Sequence, residues 1–315
     1  MPDAHSSTPP FRLARDEYDS LTRRVANWQR WPTEGGLGAL HTITAEKRVR
    51  SAQLVTEGRV VSCCQPPRGE AVGELGEPGS SPHPYRVHQW FAAREGWHAV
   101  NDRVEIDVHG LYSMTHLDGL GHFFLDDRGF DGVPRPELQS GLPEQHAAIT
   151  AAGGIVSRGV LIDIPRFQGR DAMEAGDVAS LHDVKGALQQ QGVQPEPGDI
   201  LAFRFGTANM RPRTGPETPL PGLSIECADW LHEQDCAVVI TDGGLDPSPS
   251  QVEGISTPWH LLVLASMGVR LIDGAELNTL SGVCAELGRW EFQMIVAPIA
   301  VPHASGVPVN PLAIF

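Results

Sequence analysis

From residue 159 to residue 297, short runs of β-branched and other apolar residues alternate with stretches of helical character, and no pattern in the chain constrains its fold more. Gly159–Ile164 (GVLIDI) and Asp199–Phe205 (DILAFRF) are nearly continuous apolar runs, as expected of central strands buried on both faces. Between them Leu181–Gln191 reads as a helix. Beyond them Ser224–Gln234 reads as an amphipathic helix opened by Ser224, followed by a strand at Ala237–Ile240. The series continues with a helix at His260–Met267, a strand at Val269–Ile272, a helix at Ala275–Leu287 and a strand at Glu291–Ala297. Such alternation specifies the α/β class.

The first half is less regular. A helix is expected near Asp16–Trp28, and Thr44 is placed to cap a second one that runs to about Val55. Arg59–Cys63 reads as a strand. Arg103–Val108 alternates Val104, Ile106 and Val108 with polar residues, the pattern of a half-buried strand. Gly69–Pro84 is rich in Gly, Pro and Ser without periodicity, as in a long surface loop. None of the Gly/Pro-rich stretches isolates a self-sufficient block. The 315 residues therefore read as an N-terminal extension, 1–40, and one domain, 41–315.

Charge and cysteine content exclude several function classes. With 24 basic and 39 acidic residues the formal charge is −15, which disfavours nucleic acid and anionic membranes as partners. No apolar window reaches the roughly 18 residues of a membrane span, and the N-terminus lacks the apolar core of a secretory signal. The five cysteines are irregularly spaced and suit reduced thiols, so a cytoplasmic location is expected. No GxSxG, no P-loop and no dinucleotide fingerprint between a strand and a helix is present.

Most of the 13 histidines occur singly, but Asp107–Phe124 (DVHGLYSMTHLDGLGHFF) places His109, His116, Asp118 and His122 directly after a predicted strand. His116 and Asp118 are two apart, so in extended chain both side chains point the same way and can converge on one ion. A nitrogen and an oxygen donor together suit Zn or Mn. His122, four residues beyond Asp118, can face the same cavity if the chain turns into a helix after Gly119. There it would serve as an acid or base. Asp242 and Asp246, in TDGGLDPSPS, follow a predicted buried strand. They can be read either as site-lining carboxylates or as turn formers.

THLDGLGH resembles the signature of the metal-dependent cyclase/hydrolase family that includes bacterial kynurenine formamidase and isatin hydrolase, approximately HxGTHxDxPxH. Thr115, His116, Asp118 and His122 match at the family spacing. Gly159–Arg166, Pro197–Phe205, Pro221–Leu231 and the C-terminal GVPVNPLAIF resemble further blocks in family order. The resemblance implies a swivelling β/β/α domain with a mixed sheet or partial barrel, flanking helices and a homo-oligomeric state, dimer or tetramer. It implies His116 and Asp118 as metal ligands and His122 as the catalytic acid/base. It also suggests His260 and Asp273 as further ligands, where kynurenine formamidases carry a His and a later Glu. The first signature His falls at Tyr112, and His109 is the nearby imidazole; both are expected to line the site. Loss of that His favours one divalent ion per chain. The expected activity is metal-dependent hydrolysis of an amide, lactam or related acyl bond in a small molecule. The alternatives are a metal-dependent cyclase or dehydratase acting on an enolisable substrate, and a metal-binding member without turnover.

Overall fold

The computed structural model describes residues 11–32, 36–66, 85–109, 114–136, 153–207 and 218–315. The loop expected at Gly69–Pro84 and the site-lining Tyr112 both lie outside the described residues. The described residues form strands β1 (Val60–Ser62), β2 (Tyr85–Arg94), β3 (Trp97–Ile106), β4 (His116–Asp118), β5 (Ile155–Asp163), β6 (Val178–Ala179), β7 (Ile200–Arg204), β8 (Gly222–Leu223), β9 (Val238–Thr241), β10 (Arg270–Asp273), β11 (Glu291–Val296), β12 (Gly306–Pro308) and β13 (Leu312–Ile314). Nine of them build one curled mixed sheet in the order β1-β13-β11-β5-β7-β9-β10-β4-β12. The centre, β5-β7-β9-β10, is parallel, and antiparallel strands complete both sides. The α/β class with a mixed sheet and flanking helices is therefore what the chain forms.

Both faces of the sheet are covered, which is why the central strands read as unbroken apolar runs. Val160, Ile162, Leu201, Phe203, Val239 and Leu271 point into one core, together with Trp259 and Leu262 of the helical segment Pro258–Met267. Leu161, Ile200, Ala202, Val238, Ile240 and Ile272 point into the other, with Leu280 and Val283 of the helix Asn278–Leu287. The helix Arg15–Arg24 adds Tyr18 and Leu21 to the first core, and the Tyr18 hydroxyl donates to the Pro258 carbonyl at 2.6 Å.

Two local expectations change. The strand foreseen at Arg103–Val108 is the end of β3, which pairs only with β2 in a two-stranded hairpin and leaves Val104 55% exposed. Alternation marks an apolar face but not what covers it. The segment after Gly119 is a turn rather than a helix, closed by the His122 N–H donating to the Gly119 carbonyl at 3.0 Å. Two glycines in six residues disfavour helix there.

Candidate metal centre

β4 is three residues long and lies between β10 and β12, antiparallel to both. Leu117 points into one core and is fully buried, so His116 and Asp118 share the opposite face. The strand's flanks are pinned. The Gln65 N–H donates to Thr115 Oγ1, which itself donates to the Gly274 carbonyl, and the Gly119 N–H donates to the Ser305 carbonyl. Register places Asp273 opposite His116. Asp273 ends β10, so this carboxylate stands beside β4 at the carboxyl end of a central strand.

Around Asp118 the fold gathers four imidazoles and a second carboxylate. His109 Nδ1 is 3.2 Å and His116 Nε2 3.5 Å from Asp118 Oδ1. His260 Nε2 is 3.8 Å from Asp118 Oδ2 and 3.1 Å from Asp273 Oδ2. The His122 ring stacks on His109, with centroids 3.7 Å apart and planes 13° from parallel. Phe123 packs against both His122 and His260 and forms an apolar wall between them. Two sets of three have donor atoms within 4.8 Å of one another: His109, Asp118 and His122, and Asp118, His260 and Asp273. Asp118 belongs to both. His116 approaches Asp118 but belongs to neither set.

Hydrogen bonds orient the rings. His116 Nδ1 donates to the Met114 carbonyl at 2.8 Å, which leaves Nε2 facing Asp118. His260 Nδ1 bonds to Asp246 Oδ2, which leaves Nε2 facing Asp118 and Asp273. His109 Nε2 is 3.2 Å from Ser305 Oγ. Gly306 makes room for that ring, since a Cβ there would lie 2.3 Å from His109 Cε1.

The electrostatics separate the histidines. Burial raises the Asp118 carboxyl, but the imidazoles of His116, His109 and His122 outweigh it and hold the group well below the ordinary carboxylate range. Burial pushes His122 down to about 3, so its ring is neutral at pH 7. Burial acts the same way on His260, yet the bonds to Asp246 and Asp273 outweigh it and raise that imidazole well above its ordinary value. Asp242 takes no part. Its oxygens accept the N–H groups of Phe205, Gly206 and Thr207 and anchor the end of β7.

The described residues fit a divalent cation. Both Asp118 oxygens and His109 Nδ1 are buried without a hydrogen bond, an arrangement that is costly unless a cation or another donor joins them. The neighbouring groups are imidazole nitrogens and carboxylate oxygens, the donors that suit first-row divalent ions. Sequence reasoning had placed His116, Asp118, His122, His260 and Asp273 in one site, and the structure does bring them together. It missed Ser305, Gly306 and Phe123, and it left the role of Asp246 open. Only the C-terminal GVPVNPLAIF block hinted at the Gly306 region.

No curated protein matches the chain. Among solved structures, a crystal structure of a novel cyclase superposes with a TM-score of 0.81 at 26% identity, covering 93% of this chain and 99% of that one. An isatin hydrolase bound to the product analogue thioisatinate reaches a TM-score of 0.55 at 16% identity, over 86% of this chain and 98% of its own. Isatin hydrolase A from Ralstonia solanacearum reaches 0.53 at 16% identity, over 81% and 91%. At that identity the two hydrolases share the fold. The sequence profile of the Cyclase family matches residues 82–245, a span that holds His109, His116, Asp118 and His122, and the chain belongs to that family.

Proposed function

We propose that the protein is a metal-dependent hydrolase of an amide, lactam or related acyl bond in a small molecule. The observation that carries this reading is the buried Asp118 carboxylate, whose oxygens make no hydrogen bond of good geometry although imidazoles ring them. Asp118, His260 and Asp273 would hold one Zn or Mn ion, and His116, which faces the other oxygen of Asp118, would be a further ligand. The set of Asp118, His260 and Asp273 carries two carboxylates, whereas His109 and His122 add only neutral donors to Asp118. The one ion therefore belongs on the His260 side. An ion held there lowers the pKa of water and polarises a substrate carbonyl.

His122 is the proton carrier in this reading. Its imidazole, beside His109 and Asp118, can accept a proton from the attacking water and then donate it to the departing nitrogen or oxygen. Stacking on His109 and edge contact with Phe123 fix the ring's orientation. The Phe123 wall favours a substrate with an apolar or aromatic body and reduces water around the proton transfer. Hydrolases of isatin, a lactam, share this fold, in keeping with the proposed class.

The test is elemental analysis of purified protein followed by an amide, lactam and lactone panel run in ¹⁸O-labelled water. One divalent ion per chain and one labelled oxygen in the product are expected. Turnover without label would move the assignment to ring closure or dehydration, and metal without turnover on any substrate would leave a binding protein.

A further inference from the structure

We propose that Asp246 is a positioning residue of this centre, acting through His260. Its carboxylate fixes the start of the helical segment and presents His260 Nε2 to the cation. The inference rests on the metal-centre reading above and assigns a role to a residue outside the family signature.

Asp246 is 9% exposed and sits five residues past the end of β9, in the turn TDGGLD. Its two oxygens do different work. Oδ1 accepts the Trp259 N–H at 2.6 Å. Oδ2 accepts the His260 N–H at 3.3 Å and also bonds to His260 Nδ1. The first pair of contacts caps the segment that opens at Pro258, where backbone N–H groups lack partners of their own. The ring bond keeps a proton on Nδ1, so Nε2 is the nitrogen that faces Asp118 and Asp273. A carboxylate behind a ligating imidazole also increases its basicity, and losing such a partner typically weakens metal binding 10–100-fold.

The turn that carries the carboxylate is itself pinned through its backbone. The Leu223 N–H donates to the Leu245 carbonyl at 3.0 Å, and Leu220 and Ser248 exchange a pair of backbone bonds. A Cβ on Gly222 would lie 2.4 Å from Pro247 N and 2.7 Å from the Asp246 carbonyl carbon, so β8 presses directly on this turn. On the helical side, the Tyr18 hydroxyl bonds to the Pro258 carbonyl and the Trp259 indole donates to the Leu223 carbonyl. The backbones at both ends of the Asp246–His260 contact are anchored, so the turn brings the carboxylate to the ring at a fixed place.

The experiment compares wild type with Asp246→Asn, using zinc alone as the probe. Asn still caps a helix, so the fold should persist. Zinc affinity is measured by chelator competition, and the His260 Nδ1–H proton is followed by ¹H–¹⁵N NMR. The variant should bind zinc 10–100-fold more weakly, and the downfield Nδ1–H resonance of wild type should move upfield or vanish. Unchanged zinc affinity together with an unchanged resonance overturns the proposal. If wild type binds no zinc, the metal-centre reading fails, and the resonance alone then decides whether Asp246 orients His260. If Asp246→Asn does not fold, the zinc-loaded wild type decides. A proton on Nδ1 with zinc on Nε2 supports the proposal, and the reverse overturns it.

Discussion

At the scale of single residues, the two side chains of β4 and the imidazole beyond them should separate by experiment. Asp118→Ala and His116→Ala remove a donor from the shared carboxylate environment and are expected to abolish bound metal and activity together. Retention of a full complement of ion by either variant, read by elemental analysis, contradicts the ligand assignment. His122→Ala should keep its metal and its melting temperature while turnover falls on the order of 10²–10⁴-fold, the usual worth of a general acid/base. Loss of metal in that variant would make His122 a ligand, in keeping with its place beside His109 and Asp118. Gly306→Ala tests the room made for His109. The added methyl would meet the ring and the Leu117 carbonyl, so a loss of about 1–3 kcal/mol of stability is expected, with weaker metal binding. Wild-type affinity in Gly306→Ala would mean that the His109 ring is free to move aside.

At the scale of elements, β4 is only as good as the strand that carries it. Leu117 is wholly buried in the core on the far side of the sheet, and Leu117→Ala should cost about 2–5 kcal/mol in a denaturant melt. A smaller loss would show that β10 and β12 hold the strand without its core residue. The helix Ala45–Ala52 was legible in its first turn, where Thr44 accepts the Lys47 N–H at 3.1 Å. Its docking was not. Lys47 is buried against Asp199, which also binds Arg158 of β5, and neither partner could be read from the spacing of residues near Lys47. The same limit applies to β3. Its alternation was correct, but its partner is β2, and the hairpin stands outside the main sheet.

At the scale of the whole molecule, two surface properties give tests. Register places Val87, Phe91, Val100 and Val104 on one face of the β2–β3 hairpin, where Phe91 is 73%, Val104 55% and Val100 52% exposed. A two-stranded hairpin is marginally stable alone in water. A second copy of the chain is the proposed cover, and sedimentation should give a dimer or tetramer that Phe91→Glu shifts toward monomer. A monomer at micromolar concentration speaks against this. The thiols give the second test. Cys63, Cys227, Cys236 and Cys284 are buried, and burial pushes the Cys63 and Cys236 thiols up to about 12. A thiol reagent at pH 8 should therefore label Cys64 and leave the other four unmodified until the protein unfolds. Among the described residues, no helix is long and apolar enough to cross a membrane.

What local sequence determines here follows from backbone periodicity. A period of two puts His116 and Asp118 on one face and Leu117 on the other wherever the strand lies, and unbroken apolar runs mark strands covered on both sides. Thr44 can cap a helix because its hydroxyl reaches only three residues ahead. Tertiary structure decides what those faces meet. His260 stands 142 positions beyond Asp118 and Ser305 stands 196 beyond His109, and no spacing rule joins them. They converge because the sheet inserts β4 between β10 and β12, an order set by the packing of two cores rather than by neighbours along the chain. Asp246 shows the difference most clearly. In the sequence DGGLDPSPS its carboxylate is equally a turn former and a functional group, and only the approach of the segment beginning at Pro258 turns it toward His260.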